Sequence, residues 1–338
     1  MQFEFYYFQF PECIMRKILL LTLLSLILIG FRPIWGFFAH KKINGLAVFT
    51  LPPEMIGFYK KNLGYIKEAS VNPDKRRYAV ADEAPRHYLD LDHYGDSALL
   101  YLPHYWNEAL LAYGEDTLIA YGILPWHINK MYYQLKDAFM VRDPSQILRL
   151  SAELGHYIAD AHVPLHTTEN YNGQLTGQEG IHAFWESRLP EIFSGEYDFF
   201  VGRAEYIPDI QTAAWMAIAS SHVLVDSVLN EEKKLASRYE EKKYSFETKG
   251  KQTMKVYSRE YASDYHKILK GMVEKQMRVS VKMIGNFWYT AWVDAGQPDI
   301  SQLIHYKPTE QELKKNREAL AAWKEKIFKV RGHEDTGN

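Results

Sequence analysis

An all-α fold, built as a single multi-helix domain, is the class this sequence predicts, and three observations predict it. Apolar residues recur near a 3.6-residue spacing through most of the 338-residue chain, the signature of helices with one buried face. Few runs alternate at period two, so little of the chain reads as strand. Apolar residues make up 47% of the chain and aromatics 14%, with 24 Tyr and 8 Trp, enough for a large core. The length suits one large domain or two small ones. No repeat or low-complexity tract interrupts the pattern beyond residue 35.

The elements follow in chain order. Met15-Arg16-Lys17 precedes the apolar run ILLLTLLSLILIG at 18–30. A positive stretch followed by a short apolar one is the pattern of a secretory signal. The run falls short of the roughly 20 residues that span a membrane. Met15 therefore reads as the start of translation, and residues 1–34 as an extension plus a signal removed on export to the periplasm or the outside. No A-x-A-like site precedes Trp35, so an uncleaved anchor is the alternative. Cys13, the only cysteine, lies before the run. A chain starting at Trp35 has no disulfide and no thiolate. Any metal in it is held by His, Asp and Glu, which favours zinc or another borderline ion over soft copper sites.

Residues 48–70 carry Met55, Ile56, Phe58, Tyr59, Leu63 and Ile66 on one helical face after a Pro-Pro start. Residues 116–141 hold two helical stretches. Residues 143–163 open with Asp143-Pro144, an N-cap and first-turn pair, and Ile147, Leu148, Leu150 and Leu154 give them a core face. Residues 180–193 read as a helix after a Gly-rich loop. Residues 209–240 and 253–294 read as two long helices. The charged stretch between them, 231–251, reads as a solvated face or turn. Residues 71–95, with Pro73 and Pro85, and residues 167–180 read as loops, and function tends to sit on loops held by a rigid scaffold. The domain is expected over 35–300, with a charged helix and tail over 301–338.

The chemistry concentrates in HYIADAHVPLH, residues 156–166. His156 and Asp160 are four apart, so a helix places both on one face. Pro164 ends or bends that helix, and His166 follows in another backbone direction. His162 falls off the face and reads as a non-ligand. His182 and Glu186 repeat the spacing of four on another helix. A pair of this kind is also what a surface His–carboxylate contact looks like; two pairs with a His between them, inside one short stretch, point to metal. Upstream, Asp82 and His87 flank Pro85. Asp90 and Asp92 could orient a ligating imidazole, or this acidic loop is a solvated surface or a calcium-like oxygen cluster. His104, His127, His222 and His266 read as structural, and Trp126, Trp185, Trp288 and Trp292 as core. Trp35 and His40 stand just after the apolar run.

In this order the pieces resemble the zinc-dependent phospholipase C family and the single-strand-specific zinc nucleases that share its fold. Trp35…His40, Asp82…His87, HYLDLDHYG, HYIADAHVPLH, GIHAFWES and FWYTAWVDAG carry the likeness, over roughly residues 35–296. Each piece is weak alone; the ordered set is specific. The resemblance implies three zinc ions in an all-α fold. Carried over, His87, His156 and Asp160 would hold one zinc with Asp82 beside it. His166, His182 and Glu186 would hold the second. His40, a bridging Asp160 and the free amine and carbonyl of Trp35 would hold the third. That amine exists only after cleavage before Trp35, so processing would complete the site. Asp82 would orient or deprotonate the attacking water.

The resemblance leaves the substrate open. A phospholipid cleaved on the glycerol side of phosphate comes first, with peripheral membrane contact. A nucleic acid or 3′-nucleotide comes second, and a metal-free helical binding protein third. No protein partner is inferred. Full-length formal charge is -2. Removing residues 1–34 leaves it still weakly acidic, which gives no broad attraction to a polyanion and tilts the reading toward phospholipid or a small phosphodiester. Plentiful Tyr and Trp could stack bases, which favours the nuclease.

Overall fold

The computed structural model describes residues 37–249 and 252–325. Over them the chain is almost entirely helical, with one two-stranded sheet among the described residues. Residues 1–34 and Trp35, with the expected boundary between them, lie outside the described residues.

The first helices are α1 (Phe37–Ala47), α2 (Pro53–Lys61) and α3 (Leu63–Ala69). The helix expected over 48–70 is thus divided. A 3-10 turn at Val48–Thr50 leads into Pro52-Pro53, where the ring of Pro53 fits the first helical turn. Asn62 then separates α2 from α3. The stretch 71–95, expected as loop, contains a short helix α4 (Asn72–Arg76) and 3-10 turns at Ala84–His87 and Leu91–Tyr94. Pro73 and Pro85, with the many charges, suggest a loop, yet Pro73 stands in the first turn of the helix, where a proline costs no hydrogen bond. Next come α5 (Ala98–Tyr101), α6 (Trp106–Tyr113), α7 (Glu115–Tyr121) and α8 (Leu124–Met140).

The central helix is α9 (Pro144–Asp160), capped as expected by the Asp143 side chain, which accepts from Gln146 N at 3.0 Å. Every residue from Leu150 to Asp160 is buried. A helix buried all round is one that other helices surround: α9 packs on α1, α3, α8 and the long α15 introduced below. Two glycines permit this closeness. A Cβ on Gly155 of α9 would lie 2.0 Å from Asn44 Oδ1 of α1, and one on Gly285 of α15 would lie 1.9 Å from Thr50 Oγ1. Trp288, fully buried, donates from Nε1 to Ser151 O at 3.0 Å and stacks on Tyr59.

After α9, a 3-10 turn at Pro164–Thr167 carries His166. The helix expected over 180–193 is built as α10 (Ile181–Ala183), a π turn at Phe184–Arg188 and α11 (Leu189–Phe193). The one expected over 209–240 is α12 (Ile210–His222) and α13 (Val225–Ala236). Residues 244–257 differ from the expectation of a charged turn running into a helix at 253. They form an antiparallel hairpin, β1 (Tyr244–Lys249) with β2 (Gln252–Tyr257), in the register Tyr244↔Tyr257 to Lys249↔Gln252. The reason is tertiary. Tyr257 stacks on Phe184 at 3.9 Å, and Glu247 accepts from both terminal nitrogens of Arg188. Both anchors belong to the π turn, so the strands form where they find a surface to lie on. Ser258 then caps α14 (Arg259–Ile268), and α15 (Met272–Asp294) follows from Gly271. The last described helix is α16 (Glu310–Glu325).

Candidate metal centre

The elements converge on five imidazoles and three carboxylates: His40, His87, His156, His166, His182, Asp74, Asp160 and Glu186. All are buried. They form overlapping groups, each able to offer its donor atoms to one metal ion: His87, His156 and Asp160; His166, His182 and Glu186; His40, Asp160 and Glu186; and His40, Asp74 and His156.

Local structure positions each donor. One turn of α9 separates His156 from Asp160, and their Nε2 and Oδ2 lie 3.3 Å apart. Pro164 turns the chain into the 3-10 turn that brings His166 round. There Nδ1–H of His166 donates to the carbonyl of His87, which leaves Nε2 with its lone pair facing His182 and Glu186. The π turn places Glu186 Oε2 2.8 Å from His182 Nε2; π turns recur at functional sites because they re-aim a side chain. His40 is delivered by α1, pressed against α9 through Gly155.

The separations suit metal. Donors around a tetrahedral ion bound at about 2.0–2.1 Å stand about 3.3 Å from one another. In the first group His87 Nδ1 lies 2.9 Å from Asp160 Oδ2 and 3.0 Å from His156 Nε2. In the second, His166 Nε2 lies 3.1 Å from His182 Nε2 and 3.4 Å from Glu186 Oε2. In the third, His40 Nε2 lies 3.4 Å from Asp160 Oδ1 and 3.2 Å from Glu186 Oε1. Asp160 and Glu186 therefore each turn one oxygen to one group and the second oxygen to another. Asp74 Oδ1 and Asp160 Oδ1 are buried without a hydrogen-bond partner, a costly condition that a cation would relieve.

The electrostatics divide the donors. Burial, with neighbouring imidazoles, holds His156 far below its ordinary value. Burial lowers His166 as well, so both are neutral rings with lone pairs to give. Burial drives Asp160 well above the carboxylate range, only partly countered by His87. Glu186 feels the same burial, but its hydrogen bonds to His166, His182 and His40 outweigh it and hold it well below. Burial pulls His40 down too, but the Glu186 hydrogen bond and the Asp74 and Glu186 charges together raise it. The residues thus could hold metal.

Of the nine residues expected at the site, the structure brings together His40, His87, His156, Asp160, His166, His182 and Glu186. Trp35 lies outside the described residues. Asp82 is not among the converging side chains: it is exposed, on the turn before Glu83. The carboxylate there is Asp74, missed because its only local signal, an acid in the first turn after Pro73, reads as ordinary helix-start chemistry. Its Oδ1 lies 3.7 Å from His156 Nε2 and 3.9 Å from His87 Nδ1.

His162 stays out, its Nδ1 bonded to Ile158 O at 2.8 Å. Asp92 ties the 167–180 loop, accepting from Thr168 Oγ1 at 2.6 Å and Glu169 N at 3.0 Å. His104 stacks on Trp215, and His266 meets the Tyr197 hydroxyl at 2.6 Å. His222 Nδ1 lies 3.1 Å from Thr167 O, and His127 is buried edge-on to Tyr157. No protein-family model matches the chain, and no curated protein matches it at a significant level.

Proposed function

We propose that the chain is an exported zinc-dependent phosphodiesterase of the phospholipase C and single-strand-specific nuclease type, acting first on phospholipid. The observation that carries this reading is the pair of carboxylates, Asp160 and Glu186, each divided between two adjoining donor groups. Such division builds a site for several ions side by side. A single structural ion needs no such arrangement, and a metal-free scaffold has no use for it. The ordered motifs from His40 to Glu186 support the same reading.

His87, His156 and Asp160, with Asp74 beside them, would hold one zinc; His166, His182 and Glu186 a second; His40, Asp160 and Glu186 a third, with the Trp35 amine and carbonyl once the signal is cleaved. When bound, the ions neutralise a phosphodiester's charge and lower the pKa of water to about 7. Asp74 Oδ1, buried and without a hydrogen-bond partner, takes the role first expected of Asp82, that of accepting the proton of the attacking water. Asp160 and Glu186 fix the ligand groups relative to one another, so the site is organised before substrate arrives. Water adds to phosphorus, the bond to the glycerol oxygen breaks, and diacylglycerol and a phosphorylated headgroup leave.

The test is a pair of parallel assays, phosphatidylcholine against single-stranded DNA, each with and without a zinc chelator. Chelator-sensitive release of diacylglycerol is expected. Hydrolysis of DNA with none of lipid would overturn the substrate, and fewer than one zinc per chain after zinc-replete expression would overturn the enzyme.

A further inference from the structure

Behind His87, on the side away from the other ligands, lies a buried ionic cluster that the proposed reaction does not use. Glu83 is fully buried. Its Oε2 accepts from Arg76 Nε at 2.8 Å and Arg86 Nη1 at 2.7 Å, and its Oε1 accepts from the Tyr157 hydroxyl. Arg76 also reaches Glu153 Oε1 at 2.9 Å and the Tyr157 hydroxyl at 2.9 Å. Two guanidinium groups, Arg76 and Arg86, thus pair with the Glu83 carboxylate. That carboxylate points at a ligand: Glu83 Oε1 lies 3.7 Å from His87 Nε2. The opposite ring nitrogen, Nδ1, is the one that faces Asp160 and His156.

Resting on the metal-centre reading above, we infer that Glu83 is a positioning residue for His87. Its fixed charge holds the imidazole proton on Nε2, so that Nδ1 presents a lone pair to the ion. The physical reason is a sign rule. Beside an anion, a ring nitrogen carrying hydrogen is attracted, and one carrying a lone pair is repelled; a metal ion at Nδ1 would replace a proton shared with Asp160, 2.9 Å away, and leave Nε2 to carry the hydrogen toward Glu83. Arg76, Arg86 and Tyr157 hold the carboxylate in place. A buried ion cluster is weak evidence for stability, since packed apolar side chains often serve as well; orientation of a ligand is the work that needs a charge at this position. His87 sits in a 3-10 turn of four residues, which alone fixes a ring poorly.

The experiment measures zinc affinity of the full chain by chelator competition, beside thermal unfolding. Glu83→Gln is expected to weaken binding by about 10–100-fold at one class of site. In the cadmium-loaded protein, one cadmium-113 resonance is expected to shift while the others stay. Tyr157→Phe removes the hydroxyl that holds Oε1 but leaves the charge, and a smaller loss of affinity is expected. Glu153→Gln breaks an Arg76 ion pair without touching Glu83; it is expected to lower Tm yet move affinity by less than about threefold. Unchanged affinity in a folded Glu83→Gln chain overturns the inference. So do equal losses in Glu83→Gln and Glu153→Gln, because the cluster then acts only through stability. Should Glu83→Gln fail to fold, Tyr157→Phe decides: unchanged affinity overturns the inference. A wild-type chain that holds no zinc overturns the metal reading itself, a result distinct from a loaded wild type with an indifferent Glu83.

Discussion

Asp160, like Glu186, faces two donor groups at once: Oδ2 lies against His87 and His156, and Oδ1 against His40. Asp74 stands on the far side of the first group, and Asp82 stands in solvent. That contrast gives a test at single-residue scale. Asp74→Asn is expected to cost at least about a hundredfold in activity, the loss typical of removing one group essential to proton transfer or metal binding. Asp82→Asn is expected to leave activity unchanged and stability within about 0.5 kcal/mol. Rate and zinc content of the two variants, compared side by side, decide between the two carboxylates.

A second residue-scale outcome concerns His162, which burial holds down to about 4. Its folded value lies below its unfolded value of about 6.5, so the unfolded chain takes up the proton first as pH falls. The contribution is nil above about 6.5, grows as a loss of stability between there and 4, and is complete below 4, at roughly 3 kcal/mol. In chelated protein, the difference in unfolding free energy between wild type and His162→Gln is expected to shrink by that order from pH 7 to pH 4. A difference that does not vary with pH would refute the assignment.

At the scale of elements, α9 is the axis on which the centre is hung. It supplies His156 and Asp160 directly, meets α1 with His40 across Gly155, and ends where Pro164 sends the chain toward His166. Gly155→Ala would force a Cβ to 2.0 Å from Asn44 Oδ1, so the buried Asn44 side chain must turn away and give up its bond to His40 O, or α1 must shift. About 1–3 kcal/mol of stability is expected to be lost. Zinc content is expected to fall with it, since Asn44 Nδ2 holds the backbone carbonyl of His40. Thermal unfolding and elemental analysis read the two effects, and a variant with wild-type zinc content would show that the helix approach does not matter to the centre. The π turn and hairpin work as a second unit. Arg188 and Phe184 flank Glu186 on the same turn, and the hairpin holds both through Glu247 and Tyr257.

For the whole molecule, the candidate donors come from α1, α4, α9, α10 and the turns at 84–87, 164–167 and 184–188, so a bound metal would cross-link segments far apart in sequence. One ion at a thousandfold excess over its Kd stabilises the native state by about 4 kcal/mol. Each kcal/mol moves Tm by about 1.5 °C in a chain of this size. Chelation is therefore expected to lower Tm by about 6 °C for each tightly held ion lost. Calorimetry with and without chelator checks this; an unmoved Tm would argue against metal at the cluster.

Much of this was legible before any coordinates. The 3.6-residue spacing carried the all-α class, Asp143-Pro144 marked the start of α9, and His156 with Asp160 and His182 with Glu186 fell on shared faces because one helical turn brings them together. The reading failed wherever the cause was not local. The strands at 244–257 depend on contacts with Phe184 and Arg188, more than fifty residues upstream. Asp74 enters the centre because α4 packs on α9, and Asp82 leaves it because the next turn buries Glu83 instead. Spacing along the chain was enough for the helical class and for the His–carboxylate pairs that lie within one turn, since the regular rise of a helix converts spacing directly into geometry. Which carboxylate joins the donor cluster and how the pairs meet rest on the tertiary fold, because those distances are set by packing between segments and by no spacing along the chain.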